Sequence, residues 1–401
     1  MSKYLRTFLY DSTYECTDKL IENIKKSWEN HDAISLIPLS FPKNVVDELI
    51  VKLDPNEVIN LRENTSYVRD LAIVENEDLA AVVFTSGTIS QPKPVELTFS
   101  AMENSVNSIY EYCRLDKNDS WMCVLPLHYI AGLSILARCF ISGSQFLHQE
   151  KFDAEFLCNE ISLGTFSAIS LMPSQLKELM KYECSLESLK AILIGGSHID
   201  DQLLEQCAKR QLNVYWTYGM TETFGGICIN GDFLQGTTPR IIDSILQIKS
   251  KSLMSGYRHE YSLTNDSFTN DGYFITKDRA EIIDGRLNIL GRLDDVIISG
   301  GIKIDLIDLE RIFKSKLNNL DFVLFPNPHD KLGSCLSIGI KKSQAVNLNI
   351  KNIRDTLRDL VPATHLPIRL YSVDDEYFDG VLKISRNKAS ESAELVDQYE
   401  I

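Results

Sequence analysis

Residues 84–93 read Phe-Thr-Ser-Gly-Thr-Ile-Ser-Gln-Pro-Lys. Hydroxyls at Thr85, Ser86 and Thr88, a glycine at Gly87 and a cation at Lys93 are the groups that a polyphosphate needs. Glycine lets the backbone approach, free N–H groups form an anion nest, and the lysine brings a mobile positive charge. The segment is not a Walker A loop, since G-x-x-x-x-G-K-[ST] is absent. Read alone, the alternative is a polar loop between a short apolar strand and a helix.

Further polar segments follow predicted strands. Trp216-Thr217-Tyr218-Gly219-Met220-Thr221-Glu222 combines an aromatic that can stack on a base, hydroxyls for phosphate and a carboxylate for Mg²⁺. The same residues also suit a β-turn at a sheet end. Gly195-Gly196-Ser197 permits close approach to a flat ligand, or a tight strand-to-helix turn. Asp278 can accept two hydrogen bonds from a ribose diol, or sit in solvent. His128 stands among apolar neighbours, where a histidine is commonly structural, and Lys383 belongs to a basic cluster that composition alone places on the surface. Order and spacing, rather than any one segment, make the pattern specific.

The elements that must position these residues alternate. Apolar runs at 80–84, 121–125, 167–172, 191–194 and 212–217 read as strands. Between them come helical patterns at 102–113, with Ser100 and Glu103 spaced as a capping box, at 132–141, at 174–181 behind Pro173, and at 201–210. This order predicts a mainly parallel sheet, with ligands at the carboxyl ends of its strands. From about residue 230 to 290 the texture predicts an antiparallel β-rich subdomain. Gly291-Arg292-Leu293-Asp294-Asp295 is a polar break before a compact α+β unit. The expected fold is therefore α/β: a large domain over 1–293 and a small hinged α+β domain over 294–401. The first eighty residues show no chemistry.

The chain has 401 residues, is 44% hydrophobic and 24% charged, and carries a formal charge of −15. That charge argues against a nucleic-acid or anionic-membrane surface, and no apolar run is long enough to span a bilayer. Nine cysteines lie scattered without a C-x-x-C, which indicates neither a disulfide framework nor a zinc site and predicts a reducing cytoplasm.

Taken together, the segments resemble the adenylate-forming superfamily of acyl-CoA synthetases, luciferases and peptide-synthetase adenylation domains. Within it they are most similar to the o-succinylbenzoate–CoA ligases of menaquinone biosynthesis. The resemblance rests on 85–93, Tyr218–Glu222, Asp278, Gly291–Asp295 and Lys383-Ile384-Ser385-Arg386, and on 125–135, 170–176 and 191–197. It implies ATP, Mg²⁺ and coenzyme A, and a reaction through an acyl-adenylate to a thioester. It assigns Thr85, Ser86, Gly87, Thr88 and Lys93 to the β- and γ-phosphates, Thr221 to the α-phosphate and Glu222 to Mg²⁺. Gly195, Gly196, Ser197, Trp216, Thr217, Tyr218 and Gly219 would flank the adenine, and Asp278 and Arg292 would hold the ribose. Lys383 would bridge the substrate carboxylate and the α-phosphate, and Asp294 would be the pivot. The acyl pocket would take Leu127, His128, Gly132, Ser170, Met172 and Thr223, with His128 also beside the thiol path. No aspartate opens the helix after His128, which disfavours an amino-acid substrate. The chain departs from the family at Ile89-Ser90-Gln91 and at Pro94, a residue without a backbone donor. Its shorter region before the phosphate loop implies a trimmed N-terminal part. Another aryl or acyl carboxylate as substrate, or a nucleotide-binding pseudo-enzyme, are the alternatives, and a homodimer is compatible with the family.

Overall fold

The computed structural model describes residues 4–11, 13–68, 77–85, 92–196, 199, 201–299, 302–329, 332–379 and 386–399. The chain forms two compact units. One comprises Met1–Arg240, Gln247–Thr276 and Ile282–Asn288, and the other Ile241–Leu246, Lys277–Glu281 and Ile289–Ile401. The dividing line passes through the strands Thr237–Ile242, Ile245–Ser250, Phe274–Ile283 and Arg286–Arg292.

The first unit holds two seven-stranded sheets. In one, Leu5–Tyr10 pairs in parallel with Ala33–Pro38 and Glu57–Asn60, and Ala33–Pro38 pairs with Leu79–Phe84. Pro94–Thr98 and then Gly256–Tyr257 extend that sheet antiparallel. Ala33–Pro38 is buried along its whole length and Leu79–Phe84 up to Val83, as expected for strands covered on both faces. Trp28 ties the helix Tyr14–Glu29 to this sheet, donating its indole N–H to Ala80 O at 3.0 Å. The first eighty residues thus supply four of the seven strands of the sheet from which the phosphate-loop segment emerges.

The other sheet runs Ser120–Cys123, Gln145–His148, Ala168–Leu171, Ala191–Ile194 and Val214–Met220 in parallel, with Gly225–Ile229 and Asp232–Phe233 added antiparallel. Its crossover helices are Ile130–Ser142, Ala154–Leu163, Pro173–Leu179 and Asp201–Lys209. Asp153 caps the second of these helices and Gly164, at φ 67°, ends it, while Pro173 opens the third. Because the strands are parallel, the segments after Cys123, Leu171 and Ile194 leave from one edge. Leu157, Leu171, Leu176, Ile192, Ile194 and Leu203 form the core on one face.

Two local expectations fail for identifiable reasons. The helix predicted from 102 spans Phe99–Cys113, and its N-cap is Thr98, whose Oγ1 accepts the Ala101 N–H at 3.0 Å. Ser100 bonds Asp78 instead of closing a capping box. The strand predicted to end at Thr217 continues to Met220, since Thr217–Met220 pairs with Gly225–Ile229. The aromatic-glycine motif therefore lies within a strand, and only Thr221–Thr223 forms the turn.

The second unit carries a four-stranded sheet of Phe322–His329, Gly333–Lys341, Arg369–Val373 and Glu394–Gln398, with helices Leu306–Lys314 and Ile350–Leu357. Leu309, Phe313, Leu324, Ile338, Ile353 and Leu370 lie in its core, giving the predicted α+β texture. All nine cysteines are buried and free. No helix among the described residues is long and apolar enough to cross a membrane.

Candidate active site

Thr85 and Lys93 close the phosphate-loop segment at its mouth. Thr85 N–H donates to Lys93 O at 3.0 Å, and Lys93 N–H donates to Thr85 Oγ1 at 3.3 Å. The segment joins two antiparallel strands, not a strand and a helix. Phe84 and Pro94 are the next pair in register. Bonded and non-bonded pairs alternate in such a ladder, so Pro94 removes no bond to Phe84. Its nitrogen faces the Gly256–Tyr257 side, where its carbonyl accepts the Arg258 N–H at 2.8 Å. The missing donor thus costs a ladder bond at the far side of the strand. Residues 86–91, including Ser86, Gly87 and Thr88, lie outside the described residues.

The Trp216–Glu222 segment is held from several sides. Trp216 N–H donates to Asn230 Oδ1 at 2.9 Å, and the Thr217 hydroxyl donates to Ile194 O at 3.2 Å. The second bond draws the motif against Gly195-Gly196. A Cβ at Gly195 would lie 2.5 Å from Thr217 Oγ1, and one at Gly196, where φ is +81°, would lie 2.8 Å from Met172 Sδ. A Cβ at Gly219 would run into the Gly225 carbonyl. Glycine is needed at these places for strand ends to approach one another. Thr221 is buried. Thr223 is wholly buried, and its hydroxyl accepts the Met220 N–H at 2.9 Å and contacts Gly225 O at 2.6 Å. Its side chain thus holds the turn that presents Glu222. Ser197 lies outside the described residues.

Glu222 and Lys93 meet on one residue that the motif reading did not include. The Tyr257 hydroxyl donates to Glu222 Oε1 at 2.8 Å, and Lys93 Nζ sits 5.1 Å from the centroid of the Tyr257 ring. Burial and the neighbouring Glu222 charge push the Tyr257 phenol well above its ordinary range, so it stays a donor. No group of three or more His, Cys, Asp or Glu side chains suited to a metal occurs among the described residues. A lone carboxylate fits Mg²⁺, which keeps several waters and takes substrate phosphates as further ligands.

At the end of the strand Ser120–Cys123, His128 Nδ1 lies 2.7 Å from Tyr10 Oη, with the Phe41 and Tyr129 ring centroids at 5.7 and 4.2 Å. Burial lowers the His128 pKa to about 4, so the imidazole is neutral at pH 7. Leu127 is buried, and Gly132 packs directly on the Leu125 and Pro126 carbonyls, leaving no room for a side chain. Nearly two turns further along the helix Ile130–Ser142 stands Arg138, 6% exposed. Its Nη1 donates to Ser170 Oγ at 3.1 Å and its Nη2 to Ser134 Oγ at 3.4 Å, while its guanidinium lies 4.9 Å over the Trp121 ring. Arg138 Nε is buried without a partner, and no carboxylate pairs with this arginine among the described residues. Burial lowers its pKa.

In the second unit, Arg292 Nη1 approaches Asp278 Oδ1 at 3.8 Å, bringing together the two residues expected at the ribose. Gly291 has φ +143°, and a Cβ there would lie 3.3 Å from Ile307 Cδ1. Asp294 falls in the short helical turn Leu293–Asp295. Arg386 Nε donates to Asp295 Oδ1 at 2.7 Å, Nη2 to Glu310 Oε2 at 2.8 Å, and Nη1 to Leu324 O at 2.7 Å. Burial works against its charge, but Glu310 and Asp295 outweigh burial and raise its pKa. Lys383 lies outside the described residues.

A sequence profile described as AMP-binding enzyme matches residues 7–245. The chain belongs to the AMP-binding enzyme family. It is 30% identical over 332 residues to the 2-succinylbenzoate–CoA ligase of Staphylococcus epidermidis strain ATCC 12228, covering 78% of this chain and 69% of that one. Among solved structures, it is similar to the o-succinylbenzoate CoA synthetase from Bacillus subtilis in complex with the acyl-adenylate intermediate OSB-AMP. The TM-score is 0.83 at 20% identity, over 100% of this chain and 90% of that one. The same synthetase in complex with ATP and magnesium ion gives 0.82 at 20% identity, over 97% and 90%. The expected α/β fold is the fold found.

In this AMP-binding enzyme, sequence reasoning missed Tyr10, Arg138 and Tyr257. Only Arg138 left a signal, as the one charged residue in an otherwise apolar helical run. His128 yields a pH prediction. Its folded pKa lies below the unfolded value of roughly 6.5, so the unfolded chain binds the proton first. Its contribution to stability is full above pH 6.5 and declines as pH falls toward about 4. An NMR titration of the labelled imidazole is expected to show a midpoint near 4; a midpoint near the ordinary histidine value would contradict the buried Tyr10 contact.

Proposed function

We propose that this AMP-binding enzyme is an ATP-dependent carboxylate–CoA ligase whose acid is a dicarboxylate of the o-succinylbenzoate type. Arg138 is the observation that carries the dicarboxylate part. A buried cation without a counter-ion costs several kcal/mol. An anion delivered beside Ser170, on the strand end expected to line the acyl pocket, would relieve that cost. A monocarboxylic acid has its only carboxylate committed to the reaction, so the second carboxylate supplies the anion. The relatives named 2-succinylbenzoate–CoA ligase support the same acid.

In the first step a carboxylate oxygen attacks the α-phosphorus of ATP and pyrophosphate leaves, giving an acyl-adenylate. In the second the coenzyme A sulfur attacks the acyl carbon and AMP leaves. Negative charge builds on phosphate oxygens in the first step, so positioned cations and N–H groups dominate its catalysis. Lys93 and the 85–88 segment serve the β- and γ-phosphates, Thr221 the α-phosphate, and Glu222 holds Mg²⁺, which would neutralise phosphate charge. Gly195–Ser197 and Trp216–Gly219 serve the adenine. Neutral His128 can accept or donate a hydrogen bond at the acyl group without adding charge. The roles of Asp278 and Arg292 at the ribose, Lys383 at the α-phosphate and Asp294 as pivot rest on the resemblance. The nine buried free thiols support a reducing, cytoplasmic setting.

Acid-dependent ATP–pyrophosphate exchange, run with o-succinylbenzoate, benzoate and medium-chain fatty acids, followed by thioester formation with coenzyme A, tests the reading. Exchange with o-succinylbenzoate is expected, and exchange with none of the acids would refute the ligase assignment. R138Q is expected to lower kcat/KM for o-succinylbenzoate by about 100-fold and to leave benzoate within about threefold; equal losses on both acids would remove Arg138 from substrate recognition. Lys383→Ala should abolish the exchange yet form thioester from supplied acyl-adenylate, and loss of both half-reactions would count against its role. Asp294→Pro should keep adenylation and lose overall turnover, and unaltered turnover would refute the pivot.

A further inference from the structure

Lys93 and Glu222 present a physical difficulty. The first is needed as a free cation for phosphate and the second as a free anion for metal, and two such groups in one pocket ordinarily pair and cancel. Lys93 forms no ion pair among the described residues, and Glu222 receives a tyrosine hydroxyl rather than an ammonium. Tyr257 stands between them, with the cation on its ring face and the carboxylate on its hydroxyl. An aromatic face holds a cation within about 6 Å by its quadrupole without neutralising it. A hydroxyl that engages one carboxylate oxygen leaves the other free for a single Mg²⁺ bond and fixes the carboxylate's orientation.

The tyrosine is itself firmly placed. The strand Gly256–Tyr257 pairs with Pro94–Thr98, Tyr257 opposite Val95. Tyr257 N–H donates to Thr264 Oγ1 at 2.9 Å, and a Cβ at Gly256 would lie 2.9 Å from Thr264 Cγ2. The next residue, Arg258, donates through Nε to Leu53 O at 2.5 Å and through Nη1 to Glu96 Oε1 at 3.0 Å. The Met254 N–H donates to Glu222 O at 2.8 Å, tying the same segment to the turn that carries the carboxylate. Lys93 precedes the strand Pro94–Thr98 and continues its ladder through the bonds to Thr85, so it lies on the same face as Val95, and the pairing that sets Tyr257 opposite Val95 also sets it beside Lys93.

We propose that Tyr257 is a positioning residue that holds Lys93 and Glu222 apart and ready, the lysine for the phosphates of a nucleotide and the carboxylate for its Mg²⁺. The proposal rests on the reading that this chain binds a metal–nucleotide, but it needs no acyl substrate. Its test is a binding measurement with no acid present. Mn²⁺ with ATP is titrated into the protein and free Mn²⁺ is read by electron paramagnetic resonance, while ATP alone with EDTA is titrated by calorimetry.

Tyr257→Phe keeps the ring and removes the hydroxyl. It is expected to weaken Mn²⁺–ATP binding about 10-fold and to leave metal-free ATP within about twofold. Tyr257→Leu removes both and is expected to weaken metal-free ATP about fivefold as well. Glu222→Gln separates positioning from general damage: in the Y257F/E222Q double variant the two losses on Mn²⁺–ATP are expected to overlap rather than add. Wild-type Mn²⁺–ATP affinity in Y257F, additive losses in the double variant, or equal metal-free affinity in Y257F and Y257L would each overturn the proposal. Failure of every acid in the exchange assay would sink the ligase reading without altering these binding results.

Discussion

The reciprocal bonds between Thr85 and Lys93 set the frame for the part of the first sheet that carries Lys93 and Tyr257. They fix where one strand stops and the next begins, and so fix the register of Pro94–Thr98 against Leu79–Phe84; Pro94–Thr98 in turn pairs with the edge strand that bears Tyr257. A slip of one residue would turn Lys93 to the opposite face, because side chains alternate along a strand. The register is held from three sides: by the Leu79–Phe84 ladder, by Arg258 bridging Leu53 and Glu96, and by the buried face of Val95. Pro94 is tolerated there since its missing donor falls on the side where a single ladder bond is lost.

The second sheet solves a different problem, which is to bring distant segments to one edge. Five parallel strands do this by topology, and glycines finish it by removing side chains where strand ends crowd. Gly195 against Thr217 and Gly196 against Met172 are contacts between segments that the sequence presents as separate motifs, and Gly219 against Gly225 closes a local strand pair. Glycine in these segments has a packing cause, the approach of a neighbouring strand end, whatever ligand the same residues face.

The strand-helix alternation, the α/β class and the α+β texture of the C-terminal part were legible in the sequence because apolar periodicity records burial directly. Partners joined across long stretches of chain were not legible. Tyr10 reaches His128 across 118 residues, and a sequence pattern carries no mark of that distance. Tyr257 belongs to a strand of two residues, too short for any period to show. The helix start at Phe99 is not legible because Ser100 and Glu103 have the spacing of a capping box, while Thr98, the last residue of a strand, caps first. Arg138 was legible in principle, since a lone arginine in an apolar helix must answer to something.

The buried cysteines carry a consequence for an enzyme that makes mixed anhydrides of carboxylic and phosphoric acids. Such an anhydride acylates any thiolate that reaches it, and a protein with nine cysteines risks labelling itself. Here burial raises the thiol pKa of Cys113, Cys123 and Cys228 to about 12 and that of Cys139 to about 11. It also lifts Cys16, Cys207 and Cys335 above their ordinary range. Sulfur nucleophilicity follows the thiolate fraction, so these side chains are out of competition at neutral pH. The coenzyme's thiol then meets no rival from them, and the fold guards a reactive intermediate by keeping these sulfurs dry.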